Sequence, residues 1–303
     1  MAEFELSEDL LTGDHLQRML LERHNCRCVA VRLDQTVREV LARAHYPEAI
    51  AQLLAEALVL AALCSSGIKF SGRISLQLRG SGALRLLLAD CTADGGLRGL
   101  ARFDPHVLLG GTGFRELTDG GVLALMVEAG PGGRPWQGIV PIVGDTLADA
   151  VSAYFGQSEQ LPTTIRVSVG REHAAGVLVQ RLPGSNAPDD EWARIVDRVT
   201  HFDSSWMRGA DAPRLLEYLF GTEDRRVFEP RGLRFECSCS RQKVERVLKS
   251  LGREELHSIL QEQGEIRVDC EFCAERYRFG ADEIDKLALA PESGGQGESG
   301  QPH

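Results

Sequence analysis

Phe235-Glu236-Cys237-Ser238-Cys239-Ser240-Arg241 and, after thirty intervening residues, Cys270-Glu271-Phe272-Cys273 hold half of the eight cysteines of this 303-residue chain. A soft divalent ion such as zinc takes four thiolates in a tetrahedron at about 2.3 Å. Cys-x-Cys in an extended chain sets both sulfurs on one face. Cys-x-x-Cys at a hairpin tip aims two sulfurs at one point. Ile266 and Val268, then Tyr277 and Phe279, alternate as the strands of such a hairpin, and Phe235 reads as strand before the first pair. The two pairs predict one zinc per chain on Cys237, Cys239, Cys270 and Cys273. Four idle core thiols, or a thioredoxin-like Cys-x-x-Cys, fit less well, because no parallel βαβ pattern surrounds the second pair. Most structural zinc sites use Cys-x-x-Cys on both halves, so the Cys-x-Cys half is unusual. The surrounding unit is short, and metal binding worth about 10–16 kcal/mol in such modules is also folding free energy. Oxidising the thiolates would remove ligands and stabilisation together, so the chemistry permits a redox switch.

Outward from the thiols, residues 232–288 read as a zinc-binding unit of strand, two short helices, hairpin and last helix. The tail 289–303, Gly/Ser/Gln/Glu-rich from Pro291, reads as disordered. Upstream, Gly184-Ser185-Asn186-Ala187-Pro188-Asp189-Asp190 is a loop by composition and marks a boundary. Between it and the zinc unit, 184–231 reads as a linker with amphipathic helices over 191–207 and 213–220, stopped by Gly221. Residues 1–183 read as an α+β domain rich in antiparallel sheet. Residues 26–33 alternate as a strand, and Thr36 and Glu39 have capping-box spacing for a helix. Pro47 suits the first turn of an Ala/Leu-rich helix and Gly67 its end. Strands over 73–79, 83–90 and 97–103, joined by Gly80-Ser81-Gly82 and Asp94-Gly95-Gly96, predict a meander. A pair over 122–128 and 136–143 flanks the turn 130–133, Asp145 or Thr146 caps a helix to about Ser158, and 165–170 and 174–182 close the sheet region.

Acidic residues exceed basic ones by 44 to 34, net −10. That balance argues against a broad phosphate-binding surface. The rival from another class is a zinc-ribbon nucleic-acid-binding protein, yet residues 232–283 carry nine Lys/Arg against eleven Asp/Glu. The acidic start, Met1-Ala2-Glu3-Phe4-Glu5, has neither part of a secretory signal. The most apolar stretch, Ala49–Cys64, holds Gln52 and Glu56 and falls short of a bilayer span. These features predict a cytoplasmic, non-membrane protein whose cysteines are core thiols, ligands or redox centres.

No enzyme constellation is present: no His-Glu-x-x-His, no Gly-x-Ser-x-Gly, and glycine clusters at 110–113 and 130–133 without phosphate-loop or Rossmann spacing. They read as hairpin turns. Cys26 and Cys28 read as strand residues rather than a second metal site with His24, because no second ligand pair follows. Cys64 and Cys91 read as small core residues, and His257 as part of an amphipathic helix.

Taken together, the motifs resemble the heat shock protein 33 family of redox-regulated 33-kDa chaperonins. The resemblance rests on the two cysteine segments, Gly264-Glu265-Ile266, and Tyr277-Arg278-Phe279. It rests also on Gln137-Gly138-Ile139-Val140, Gly144-Asp145-Thr146-Leu147, Tyr154-Phe155 and Ser158-Glu159-Gln160-Leu161-Pro162-Thr163. It runs from about residue 14 to 288; Cys26, Cys28 and the tail stand outside the family pattern. The resemblance implies a substrate-binding α+β domain, a helical linker and a zinc domain. It implies an ATP-independent holdase for unfolding clients, inactive when reduced and zinc-bound. Oxidation would pair Cys237 with Cys239 and Cys270 with Cys273, release zinc and unfold the linker. The active form would be a homodimer able to hand clients to ATP-dependent chaperones.

Overall fold

The structure, a computed structural model, describes residues 13–67, 70–107, 113–128, 134–184, 188–207 and 209–289. Its backbone divides into two compact units, with the division between Cys237 and Ser238. The first unit opens on a hairpin of β1 (His15–Leu21) and β2 (Cys26–Leu33), closed through Asn25 in the left-handed region at φ +47°. Only β2 is legible as alternation; in β1, Gln17 and Arg18 interrupt the apolar residues. β2 is buried on both sides, with Val29, Val31 and Leu33 in the central core and Cys26, Cys28 and Ala30 in a second cluster.

The capping box expected from Thr36 and Glu39 does not form at α1 (Gln35–Leu41), where Thr36 lies inside the helix. A carboxylate from outside does the capping. Asp14 Oδ1 accepts from Asp34 N at 2.5 Å and Gln35 N at 3.1 Å, and Oδ2 accepts from Thr36 N at 2.5 Å. With three first-turn donors satisfied by one anion, a local box has little left to supply. α2 (Glu48–Ser65) takes Pro47 as its N-cap residue rather than its first turn. Its 18 residues are long and apolar enough to cross a membrane, more than the sequence reading allowed, but 72% of that stretch is buried inside the protein.

β3 (Arg73–Arg79), β4 (Leu84–Thr92) and β5 (Gly96–Phe103) form the expected meander. A short helix that the glycine pattern hid, α3 (Phe114–Thr118), leads to the pair β6 (Val122–Glu128) and β7 (Trp136–Pro141). α4 (Leu147–Ser158) carries the capping box of Thr146 and Asp149. β8 (Thr163–Val169) and β9 (Ala174–Arg181) do not extend the meander but join the first hairpin, in the order β8-β9-β2-β1. The second sheet runs β5-β4-β3-β6-β7. α2 is packed between the two sheets, which is why its second half, Ala57 to Cys64, is apolar all round. The contact is close at Gly176, where a Cβ would stand 2.5 Å from Val59 Cγ1.

The single helix expected over 191–207 is two, α5 (Asp189–Thr200) and α6 (Ser204–Met207). The break falls where the Asp203 carboxylate accepts from Ser205 N at 2.8 Å and starts a new first turn. α7 (Ala212–Phe220) is capped by Asp211 and stopped at Gly221. These helices lay Ile195, Val199, Leu215, Leu216 and Phe220 on the outer face of β1, β2 and β9. β10 (Arg225–Val227) and β11 (Arg231–Gly232) pair with β1, and β12 (Arg234–Phe235) runs parallel to β5.

The second unit contains α8 (Arg241–Leu251), α9 (Arg253–Gln263), the hairpin β13 (Ile266–Asp269) and β14 (Arg276–Phe279), and α10 (Ala281–Leu289). That is the expected order of two helices, hairpin and last helix. Its core is small: Leu248, Leu256, Ile266, Phe279 and Ile284. The turn expected at 130–133 and the tail from Pro291 lie outside the described residues.

Candidate metal centre

The sulfurs of Cys237, Cys239, Cys270 and Cys273 all lie within 4.8 Å of one another, the only such group of His, Cys, Asp or Glu among the described residues. Residues 236–240 carry no regular secondary structure, and Cys237 and Cys239 stand two positions apart within them. Cys270 and Cys273 sit at the β13–β14 turn. There Cys270 N donates to Glu275 O at 2.9 Å, Ala274 N donates to Cys270 O at 2.8 Å, and Ala274 takes φ +59°. Sulfurs tetrahedral about an ion at 2.3 Å would stand about 3.8 Å apart. Cys239 Sγ and Cys273 Sγ are 3.3 Å apart, so the cluster has the size and the soft donors for such an ion. All four cysteines are half-buried, within reach of a small solute.

One neighbour was missed by sequence reasoning. Tyr277 Oη donates to Cys239 Sγ at 3.1 Å, and that bond holds the phenol above its ordinary range. Its place on the strand leaving the Cys-x-x-Cys turn was the available signal. His257 takes no part; its Nε2 faces Asp285 Oδ1 at 3.5 Å.

The remaining cysteines sit in a contrasting environment. Burial pushes Cys26 up to about 11 and Cys64 up to about 12. It raises Cys28 and Cys91 as well. A thiol held protonated is neither a good ligand nor a good nucleophile. Cys26 and Cys28 are therefore packing residues beneath the linker helices, as the absence of a second ligand pair suggested.

Polar contacts fasten those helices at their ends. His24 places Nδ1 2.9 Å from Glu191 and Nε2 3.2 Å from Glu223. Arg23 reaches Glu191 and Arg198 reaches Glu223, each at 3.1 Å. Below α5 a groove of about 840 Å³ is lined by Leu53, Glu56, Ile165, Trp192 and Val196. Burial lifts Glu56 to about 7, although its Oε1 accepts from Ala148 N at 3.0 Å. Nothing in the local sequence marked Glu56 or Asp14, since both act on elements far along the chain.

An α+β unit with a helical layer on one sheet, a four-thiol cluster and a small further unit define a class of two-unit thiol-cluster proteins. Known proteins place the chain within it. A family model described as Hsp33 protein matches residues 14–280. A 33 kDa chaperonin of Pseudomonas paraeruginosa is 38% identical, over 96% of this chain and 99% of that one. Another from Azotobacter vinelandii is 39% identical, over 93% and 96%. The crystal structure of the 33 kDa chaperonin (heat shock protein 33 homolog) of Thermotoga maritima superposes with a TM-score of 0.80 at 25% identity, covering 91% of this chain and 98% of that one. The chain belongs to the Hsp33 family, and its function is that of a chaperone.

Proposed function

We propose that the protein is a redox-regulated, ATP-independent holdase that is silent when reduced and zinc-loaded. The observation that carries this reading is the four-sulfur cluster closing a unit whose own apolar core is five residues deep. Cys237, Cys239, Cys270 and Cys273 would hold a zinc ion, whose charge would keep the sulfurs as thiolates and whose binding would add folding free energy. Oxidation joins Cys237 to Cys239 and Cys270 to Cys273, the pairing that the resemblance implies. Each pair gives two electrons to the oxidant; with peroxide, the oxygens leave as water. Sulfurs so paired are poor ligands, and the second unit loses its main source of order.

The consequence passes along the chain. β10, β11 and β12 have three, two and two residues, and β12 ends two residues before Cys237. Short strands of this kind hold only while their neighbours are ordered. Their release frees α5 to α7, and the apolar faces of those helices and of the sheet beneath become available to unfolding clients. The active form is a homodimer in the cytoplasm, and hand-over to ATP-dependent chaperones follows client capture.

Light scattering of a heat-denatured client, with reduced and with peroxide-treated protein, tests the proposal. Suppression by the oxidised form alone, unchanged by ATP and accompanied by release of one zinc per chain, is expected. Equal suppression by the reduced, zinc-loaded form would overturn it.

A further inference from the structure

Tyr277 stands against the thiol cluster. Its backbone pairs with Val268 across the β13–β14 hairpin, and its ring packs on the second unit's core. From there Oη reaches Cys239 Sγ at 3.1 Å, and that sulfur stands 3.3 Å from Cys273 Sγ. A thiolate has no proton to offer, so the phenol is the donor and a sulfur lone pair the acceptor. Hydrogen bonds from outside the ligand set tune how tightly a ligand is held and how readily it reacts.

We propose that Tyr277 is a positioning residue that sets the oxidation threshold of Cys239, through the hydrogen bond from its hydroxyl to the sulfur. The inference rests on the switch reading above and adds to it a residue that governs when the switch fires. In the step concerned, Cys239 Sγ delivers an electron pair to one oxygen of hydrogen peroxide. The S–O bond forms, the O–O bond breaks, and hydroxide leaves, giving a sulfenic acid. The Cys237 thiolate then attacks that sulfur; the S–S bond forms, the S–O bond breaks, and the departing hydroxide takes a proton from solvent. Two electrons pass from the two sulfurs to the peroxide. Electron density engaged by the Tyr277 proton is less available for the first attack, so the bond slows the opening move. It does not act on the ring's packing, which a phenylalanine would preserve.

The test uses the full-length chain, reduced and loaded with cobalt(II), whose sulfur-to-metal charge-transfer band reports on the ligands. Tyr277→Phe should load cobalt, show a shifted band, and release the ion to peroxide faster by about three- to tenfold, part of the worth of a hydrogen bond to a charged group. Replacing Tyr277 with 3-fluorotyrosine, a stronger donor in the same ring, should slow release below the wild-type rate. Opposite shifts of rate from two side chains of nearly one shape exclude a merely structural role. Equal or slower release from Tyr277→Phe, or faster release from the fluorinated chain, would overturn the inference while leaving the switch intact. A wild-type chain that loads no metal, or keeps it through oxidation, would overturn the switch reading and this inference with it.

Discussion

Phe220 is the side chain on which the docking of the linker helices most depends. It is fully buried, among the largest side chains so placed, and it shares one apolar cluster with Leu215, Leu216 and Leu219 and with Cys28 and Val179 of the sheet. The Arg198 guanidinium covers its ring at 5.8 Å. Truncating a buried Phe to Ala costs about 3–5 kcal/mol in lost burial and cavity. At 1.4 kcal/mol per tenfold, Phe220→Ala should raise local opening of α5 to α7 by about a hundred- to several thousand-fold. The cost falls on the opening segment, since the two sheets keep their own core around α2. Hydrogen exchange on reduced, metal-loaded protein measures this, with β3 to β5 as the internal reference. Protection over 189–220 should fall by that factor while the reference amides hold, and the reduced variant should show partial holdase activity. Unchanged protection over 212–220, or equal loss in β3 to β5, would refute the claim that the helices are a separately releasable layer.

Glu56→Gln should stabilise the protein at pH 8 by about 1–3 kcal/mol and do little at pH 4. The folded carboxyl, at about 7, binds its proton more tightly than the unfolded one at 4.5, so stability falls as pH rises between those values and stays lower above. Gln keeps an acceptor for Ala148 N, and urea unfolding at the two pH values checks it; an equal effect at both would sink the argument. In the reduced, metal-loaded protein, Cys26, Cys28, Cys64 and Cys91 should resist alkylation at pH 8, with about one thiol in a thousand ionised at Cys26. Rapid labelling of Cys28 on mass analysis would show that its burial is transient. His24→Ala leaves Glu191 and Glu223 each short of a partner, and should cost about 1–3 kcal/mol with loss of exchange protection at the start of α5; protection there equal to wild type would dismiss the clasp.

Local chemistry was legible in the chain because its partners are a few residues apart. The meander of β3 to β5 needs only alternation and glycine turns, and α4 needs only a local cap, read as Asp145 or Thr146 and found at Thr146. The two cysteine pairs predict their own convergence, since each pair is geometrically complete over three or four residues and only the hairpin between β13 and β14 had to be added. What stayed hidden depends on residues that meet across the fold. β8 and β9 were readable as strands, but which sheet takes them is settled by β2, more than 130 residues earlier in the chain and buried on both faces. The first turn of α1 was assigned to Thr36 by a local rule, and the Asp14 carboxylate displaced that rule because a charged acceptor satisfies three donors at once. Residues 184–231 read as a linker by composition, yet their helices α5 to α7 pack as a layer, because only the assembled sheet offers the apolar face that α5 and α7 cover. Side-chain chemistry fixes where the sulfurs are. Burial, which no window of sequence contains, separates four thiols closed into the core from four that stay half-buried at the cluster.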